Sequence, residues 1–331
     1  MINILFTKSK NFQKQLSSYL DSRKPNDRLK NRIVKQIISE VKKNRDQSLV
    51  KFEKKFSKFE KLSKKNLVFS KSEINKINKK LDKKTKRSIN IAFKRIYNFH
   101  KNQKFKDFKI LDNYKNSLSY RSIPLEKIGV YVPGGTANYP SSVLMNCIPA
   151  IVAGVKEIYV TVPCLGKKIN PGILYAAQKC KVKKIYKLGG AQAIAAFAYG
   201  TQTINKVDKI VGPGNQYLSL AKKEVFGEVG IDMIAGPSEV SIIADKYSNP
   251  EWIASDLIAQ AEHDIFAQSI LITNSLDLIK LVNFNLKKQL DRLPKKKIAI
   301  KSIKTYGLAI YANTPNKIIA AINTIAPEHL E

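Results

Sequence analysis

Only three histidines occur in the chain, at positions 100, 263 and 329, and two of them stand beside oxygen-bearing side chains. In the segment LIAQAEHD, Gln260 and His263 are three residues apart, which on a helix puts both side chains on one face. A neutral imidazole next to an oxygen ligand is half of a zinc site, because zinc takes about four ligands in all. The competing reading is a surface or packing histidine, and glutamine is an uncommon metal ligand. In APEHLE, adjacent Glu328 and His329 offer two proton acceptors, and imidazole titrates close enough to neutrality to take a hydroxyl proton during hydride transfer. The alternative there is a frayed polar terminus. His100 falls in a lysine-rich helical segment and reads as solvent-exposed.

A second group of residues suits a nucleotide. Three glycine turns, Tyr131-Val-Pro-Gly-Gly135, Gly189-Gly-Ala-Gln192 and Gly212-Pro-Gly-Asn215, lie next to predicted strands. Glycine at the carboxyl end of a strand lets backbone approach a ligand closely, and the helix that follows offers free N–H groups to phosphate. Each turn alone is more often just a tight loop, and none is GxGxxG. Their recurrence on one sheet edge is what favours a ligand. Tyr131, Gln192 and Asn215, in or beside the turns, are placed to hydrogen-bond a ribose or a nicotinamide.

These residues need a scaffold, and the pattern supplies one. From Asn26 to about Phe105 apolar residues recur at helical steps, as in Ile33, Ile37, Ile38 and Val41, then Leu49, Phe52 and Phe56, with lysine on the outer faces. Leu67–Phe69 reads as a short strand, with Ser70 and Ser72 as caps for the helix after it. At Ile128 lysine thins out and Gly, Ala and β-branched residues take over. Strands are expected at 158–162, 184–188 and 209–211 with helices at 172–180 and 191–199 between them, a βαβ rhythm that implies a parallel sheet. Beyond Pro237 the alternation continues: strand 240–244, helix 251–262, strand 269–273, helix 276–290, strand 308–311. The expected fold class is therefore α/β, with two Rossmann-like parallel-sheet domains, the second inserted within the first, and a helical, Lys-rich N-terminal region. The expected boundaries are an arm at 1–25, a first domain from 26–130 plus 238–331, and an inserted nucleotide-binding domain at 131–237.

Composition narrows the partners. The net charge of +33 suggests nucleic acid at face value. Only eight of the 59 basic residues are arginine, however, whereas base and phosphate recognition favours the bidentate guanidinium, and no groove-reading element stands out. The charge reads as a solvated lysine surface without a specific nucleic-acid partner. No run of about eighteen apolar residues is present, and Met1–Lys8 lacks a signal core, so no membrane is expected and the expected location is the cytoplasm. Cys147, Cys164 and Cys180 form no CxxC pair and read as reduced packing residues.

The segments KIGVYVPGGTANYPSSVLMNCIPAIVAGVKEI, LGGAQAIAAFAYGT, KVDKIVGPGNQY, IDMIAGPSEV, ASDLIAQAEHD and APEHLE, in this order and spacing, resemble the successive motifs of histidinol dehydrogenase over roughly Asn26 to Glu331. The resemblance implies a zinc-dependent, four-electron oxidation of L-histidinol to L-histidine via the aldehyde, with two NAD molecules reduced in turn. It implies His329 as general base and Glu328 as activator of the water that hydrates the aldehyde. Gln260 and His263 would hold the zinc that grips the substrate. Ser238 would touch substrate, and Tyr131, Gln192 and Asn215 would contact NAD. Members of that family act as homodimers and continue past this point with further zinc and substrate ligands, so the chain as given is expected to be weak or inactive. The competing expectation is a nonenzymatic remnant serving as a binding or scaffold protein. Two departures from the family pattern stand out. Arg45 replaces a usual glycine, at about 1 kcal/mol if that turn needs a left-handed residue, and Asn138 stands where proline is common. The spatial expectation is that Gln260, His263 and the Glu328–His329 pair converge on one cleft facing the glycine-lined sheet edge.

Overall fold

The structure, a computed structural model, describes residues 2–23, 28–134, 139–165, 169–234, 236, 238–293 and 296–331. Gly135 of the first glycine turn, Asn138, Asn26 and Pro237 lie outside the described residues. The chain divides into two compact units, 1–26 with 236–331 and 27–235.

The first unit opens with β1 (Asn3–Phe6) and α1 (Phe12–Asp21). The second runs through α2 (Arg28–Ser57), α3 (Lys71–Asn78), α4 (Lys83–Lys101), the strands β2 (Phe108–Leu111), β3 (Ser117–Tyr120) and β4 (Lys127–Tyr131), and α5 (Pro140–Ala153). It continues with β5 (Glu157–Thr161), α6 (Pro171–Lys179), β6 (Lys184–Tyr186), α7 (Gly190–Tyr199), β7 (Lys209–Val211), α8 (Gln216–Val225) and β8 (Gly230–Ile231). The chain then returns to the first unit as β9 (Glu239–Ala244), α9 (Pro250–Ala261), β10 (Gln268–Thr273), α10 (Leu276–Leu290), α11 (Lys296–Tyr306), β11 (Gly307–Tyr311), α12 (Pro315–Ile325) and β12 (His329–Leu330).

The first unit is a parallel five-stranded sheet ordered β1-β11-β10-β9-β12. Alternation along its strands builds a core on each face. Leu271 and Ala309 pack with residues of α9, α10 and α11, whereas Ile270, Ile272, Leu308 and Ile310 pack with Phe12 and Leu16 of α1 and Ala321 and Ile325 of α12. Local signals start its helices: Asn249 Oδ1 accepts from the N–H groups of Glu251 and Trp252, and Ser275 Oγ from that of Leu278.

The second unit holds a parallel sheet ordered β6-β5-β4-β7-β8 and a separate antiparallel hairpin of β2 and β3. The chain builds outward from β4 through β5 to β6, then crosses to β7 on the other side. That reversal makes the gap between β4 and β7 the switch point of the sheet. Helix α7, GAQAIAAFAY, is buried nearly all round, which its run of alanines permits.

Three expectations need correcting. Residues 2–23, expected as an arm outside both domains, contain a sheet strand and a helix; β1 lies in register with β11 from Asn3 against Leu308 to Phe6 against Tyr311. The helices of 28–101, expected with the first unit, pack into the second: Val34, Ile38, Val41, Leu49 and Phe52 of α2 share a core with α7, and Ile89 of α4 joins it. Burying a leucine or phenylalanine contributes about 1.5–3 kcal/mol each, so this stripe decides where the lysine-clad helix docks. The strand expected at Leu67–Phe69 is a single antiparallel bridge between Val68 and Tyr186, and Ser70 does cap α3 by accepting from Glu73 N at 3.1 Å. Arg45 interrupts α2 with φ 49° and ψ −131°.

Candidate active site

Helix α9 follows β9 and leads into β10, so it runs back along the sheet and ends at the amino edge of the strands. Gln260 occupies its last turn and His263 the turn beyond, with His263 N donating to Gln260 O at 3.2 Å. Ser238 directly precedes β9, and its carbonyl accepts from Gln268 N, the first residue of β10, at 3.1 Å. β12 begins at His329, in register with Val240 near the start of β9. Ser238, Gln260, His263, Glu328 and His329 therefore share the amino edge of one sheet. Open parallel sheets usually take ligands at the opposite, carboxyl edge, so sheet topology alone would have pointed away from these residues.

The end of the chain is not frayed. Ile243 N donates to Glu331 O at 2.8 Å and Glu331 N to Ser241 O at 3.0 Å, which fastens Glu328 and His329 to the side of β9. Both side chains are exposed, and His329 Nε2 lies 3.9 Å from Glu328 Oε1, within ion-pair range but too far for a hydrogen bond. His263 is exposed and Gln260 half-buried. Among the described residues the buried Gln260 Nε2 has no hydrogen-bond partner. A carboxamide rotated by 180° puts its oxygen in that position, so the orphaned site suits a ligating oxygen.

Behind this edge lies Arg23, which carried no signal in the sequence. It is 8% exposed; its Nη1 donates to Glu239 Oε1 at 2.7 Å and Gln268 Oε1 at 2.9 Å, and its Nε to Phe266 O at 3.3 Å. The guanidinium thus ties the starts of β9 and β10 together next to Ser238.

In the second unit the glycine turns follow β4, β6 and β7 at their carboxyl ends. Tyr131 closes β4, and its buried hydroxyl accepts from Gly190 N at 3.2 Å; burial pushes its pKa up to about 12, so it stays a neutral hydrogen-bonding group. Gln192, 2% exposed, donates from Nε2 to Glu53 Oε1 at 2.8 Å. Asn215 caps α8 by accepting from Leu218 N at 3.2 Å. Gly212 has φ +116°, and an added Cβ would stand 2.1 Å from Tyr131 O, so only glycine fits where the first and third turns meet.

Two supports of these turns went unnoticed in the sequence. Glu53, fully buried on α2, accepts from Gly189 N at 2.7 Å, from Gln192 and from Ser57 Oγ at 2.6 Å; burial pushes its pKa up, and those bonds pull it part of the way back. The Lys222–Asp232 pair, 2.6 Å apart, holds both polar groups of Gly212: Lys222 Nζ donates to its carbonyl, and Asp232 Oδ2 accepts from its N–H at 2.8 Å. Spacing gives no warning of either contact, because each joins residues whose meeting depends on the completed fold.

Known proteins resemble this chain closely. A family model described as histidinol dehydrogenase matches residues 21–331. Histidinol dehydrogenase from Pelagibacter ubique is 53% identical over 100% of this chain and 76% of its own length. The enzyme from Listeria monocytogenes is 48% identical over 90% of this chain and 69% of its own. The crystal structure of histidinol dehydrogenase from Elizabethkingia anophelis superposes with a TM-score of 0.88 at 35% identity, covering 99% of this chain and 75% of that one.

Proposed function

This chain belongs to the histidinol dehydrogenase family, and we propose that it works by the zinc- and NAD-dependent oxidation of L-histidinol to L-histidine in two steps through the aldehyde. The observation that carries the proposal is the gathering of Ser238, Gln260, His263, Glu328 and His329 at one sheet edge. His329, exposed and with Glu328 at ion-pair rather than hydrogen-bond distance, takes the hydroxyl proton of the alcohol and then that of the hydrated aldehyde. Glu328 polarises the water that adds to the aldehyde carbon. Ser238 hydrogen-bonds substrate from the turn before β9.

NAD, when bound, supplies the hydride acceptor, and zinc a fixed charge that orients the substrate. The free donor and acceptor of Tyr131 and Gln192 at the carboxyl end of β4 suit a nicotinamide nucleotide, with Asn215 across the switch point. For zinc, the orphaned amide of Gln260 and the exposed imidazole of His263 suit two of about four positions. Among the described residues no cluster of three His, Cys, Asp or Glu side chains stands ready to hold a metal. The remaining positions would be filled by other groups, one of them from the second copy of a homodimer. Residues 1–331 by themselves should therefore hold zinc weakly and turn over slowly; a tight, stoichiometric zinc site in calorimetry would refute that. The working location is the cytoplasm.

A single-turnover experiment with excess NAD tests the assignment of roles. Wild-type chain should yield two NADH per histidinol consumed, and Glu328→Gln should stall near one, because the aldehyde is no longer hydrated. Two equivalents from the variant at the wild-type rate would remove Glu328 from the mechanism.

A further inference from the structure

The second glycine turn is held from beneath by a carboxylate that, among the described residues, has no cation as a hydrogen-bond partner. Glu53 Oε1 accepts from Gly189 N at 2.7 Å and from Gln192 Nε2 at 2.8 Å, while Ser57 Oγ donates to Oε2 at 2.6 Å. Three donors fix that carboxylate inside a core where the side chain has no exposure. An unpaired acid in such a place is costly unless its bonds are needed, and these bonds have a directional result.

With Nε2 committed to Glu53, the Gln192 carboxamide cannot flip. Its Oε1 is turned toward Gly190, where an added Cβ would stand 2.8 Å from it, and among the described residues it accepts no hydrogen bond. The Tyr131 hydroxyl lies against the same glycine and accepts from its N–H at 3.2 Å, which leaves the phenolic proton available to a ligand. One free acceptor and one free donor thus flank Gly190. A primary carboxamide answers both, donating from its NH2 and accepting at its C=O, and so does a pair of ribose hydroxyls.

We propose that Glu53 is a positioning residue for the nucleotide: it sets the Gln192 carboxamide so that Gln192 Oε1 and the Tyr131 hydroxyl present an acceptor and a donor to a carboxamide or ribose diol. The proposal rests on the reading of this turn as a nicotinamide-nucleotide site. Glu53 itself touches no ligand; it acts through Gln192 and through the N–H of Gly189.

A double-mutant cycle read by NADH fluorescence titration on the whole chain tests this. Losing one oriented hydrogen bond should weaken binding about tenfold, so Gln192→Ala and Glu53→Met should each raise the Kd by about that factor. The double variant should bind no more weakly than either single one, because both remove the same interaction. Glu53→Gln keeps an acceptor for Gly189 and Gln192 and a donor for Ser57, and should stay within about twofold of wild type. If Glu53→Met fails to fold, Glu53→Asp replaces it, withdrawing the oxygens by about 1.5 Å with the charge kept, and the same loss is expected. Effects of Glu53 and Gln192 that multiply to about a hundredfold, or a Glu53 variant that binds as wild type while Gln192→Ala does not, would overturn the positioning role. Absence of NADH binding by wild type, or no effect of Gln192→Ala, would overturn the nucleotide reading and the proposal with it.

Discussion

Replacing Asp232 by alanine should be among the most damaging single changes near the third glycine turn, and more damaging than removing its partner. Lys222 is 4% exposed in its side chain and Asp232 28%, so the two halves of the pair are unequally buried. In Asp232→Ala the ammonium stays in place, with only the Gly212 carbonyl among the described residues to receive it, and Gly212 N also loses its acceptor. Stripping the partner from a fully buried charge costs about 3–5 kcal/mol, and the partial opening on the Asp232 side lowers this to about 2–3 kcal/mol. Lys222→Met leaves an aspartate that keeps the N–H groups of Gly212 and Met233 and reaches solvent, so about 1–2 kcal/mol is expected. Urea unfolding followed by circular dichroism measures both. With m-values of about 1–3 kcal/mol per molar, Asp232→Ala should move the midpoint down by roughly 1 M. A midpoint within error of wild type, or a larger loss from Lys222→Met, would refute the reasoning about which charge is stranded.

Two other perturbations are quantitative. Arg45 pairs a costly backbone with a useful side chain: at φ 49° and ψ −131° a non-glycine residue costs on the order of 1–3 kcal/mol, yet its Nη1 donates to Tyr199 O at 3.0 Å and Gly200 O at 2.8 Å at the end of α7. Arg45→Ala loses the bonds and keeps the strain, whereas Arg45→Gly relieves it. Glycine should be the more stable of the two by at least about 1 kcal/mol, and equal melting free energies would show that this backbone is unstrained. Burial raises the pKa of Glu53, so the native chain holds that proton to higher pH than the unfolded chain does. Stability therefore falls as pH climbs from the ordinary carboxylate range through the raised native value. Glu53→Gln, which cannot titrate, should gain on wild type across that window and keep a constant lead above it; a pH-independent difference in denaturation midpoints would contradict the assignment.

Much of this was legible in the sequence, and the rest was hidden for physical reasons. β10, buried at every position, and β11, buried from Gly307 to Ile310, announce themselves as apolar runs between turn signals. Helix α10 falls at Leu276–Leu290 as its periodicity implies. β1 was missed because its residues are mostly exposed and only pairing with β11, some 300 positions away, makes it a strand. The β2–β3 hairpin is exposed throughout and carries no burial pattern to read. Helix α2 has a clear apolar stripe, but periodicity does not say against which sheet it will lie. The same limit applied to the site. Histidine, glutamine and glycine turns could be singled out by type and spacing, whereas Glu53, Asp232 and Arg23 act through contacts that only the tertiary fold creates.

The central claim is that His263 and His329 serve one substrate at one sheet edge. Histidine C2–H resonances report this directly, since the isotopically labelled chain has only three, at His100, His263 and His329. Titration with histidinol in the presence of zinc should shift the His263 and His329 signals together with a single apparent Kd and leave His100 in place. Movement of only one of the pair, or two unrelated binding constants, would contradict the shared site.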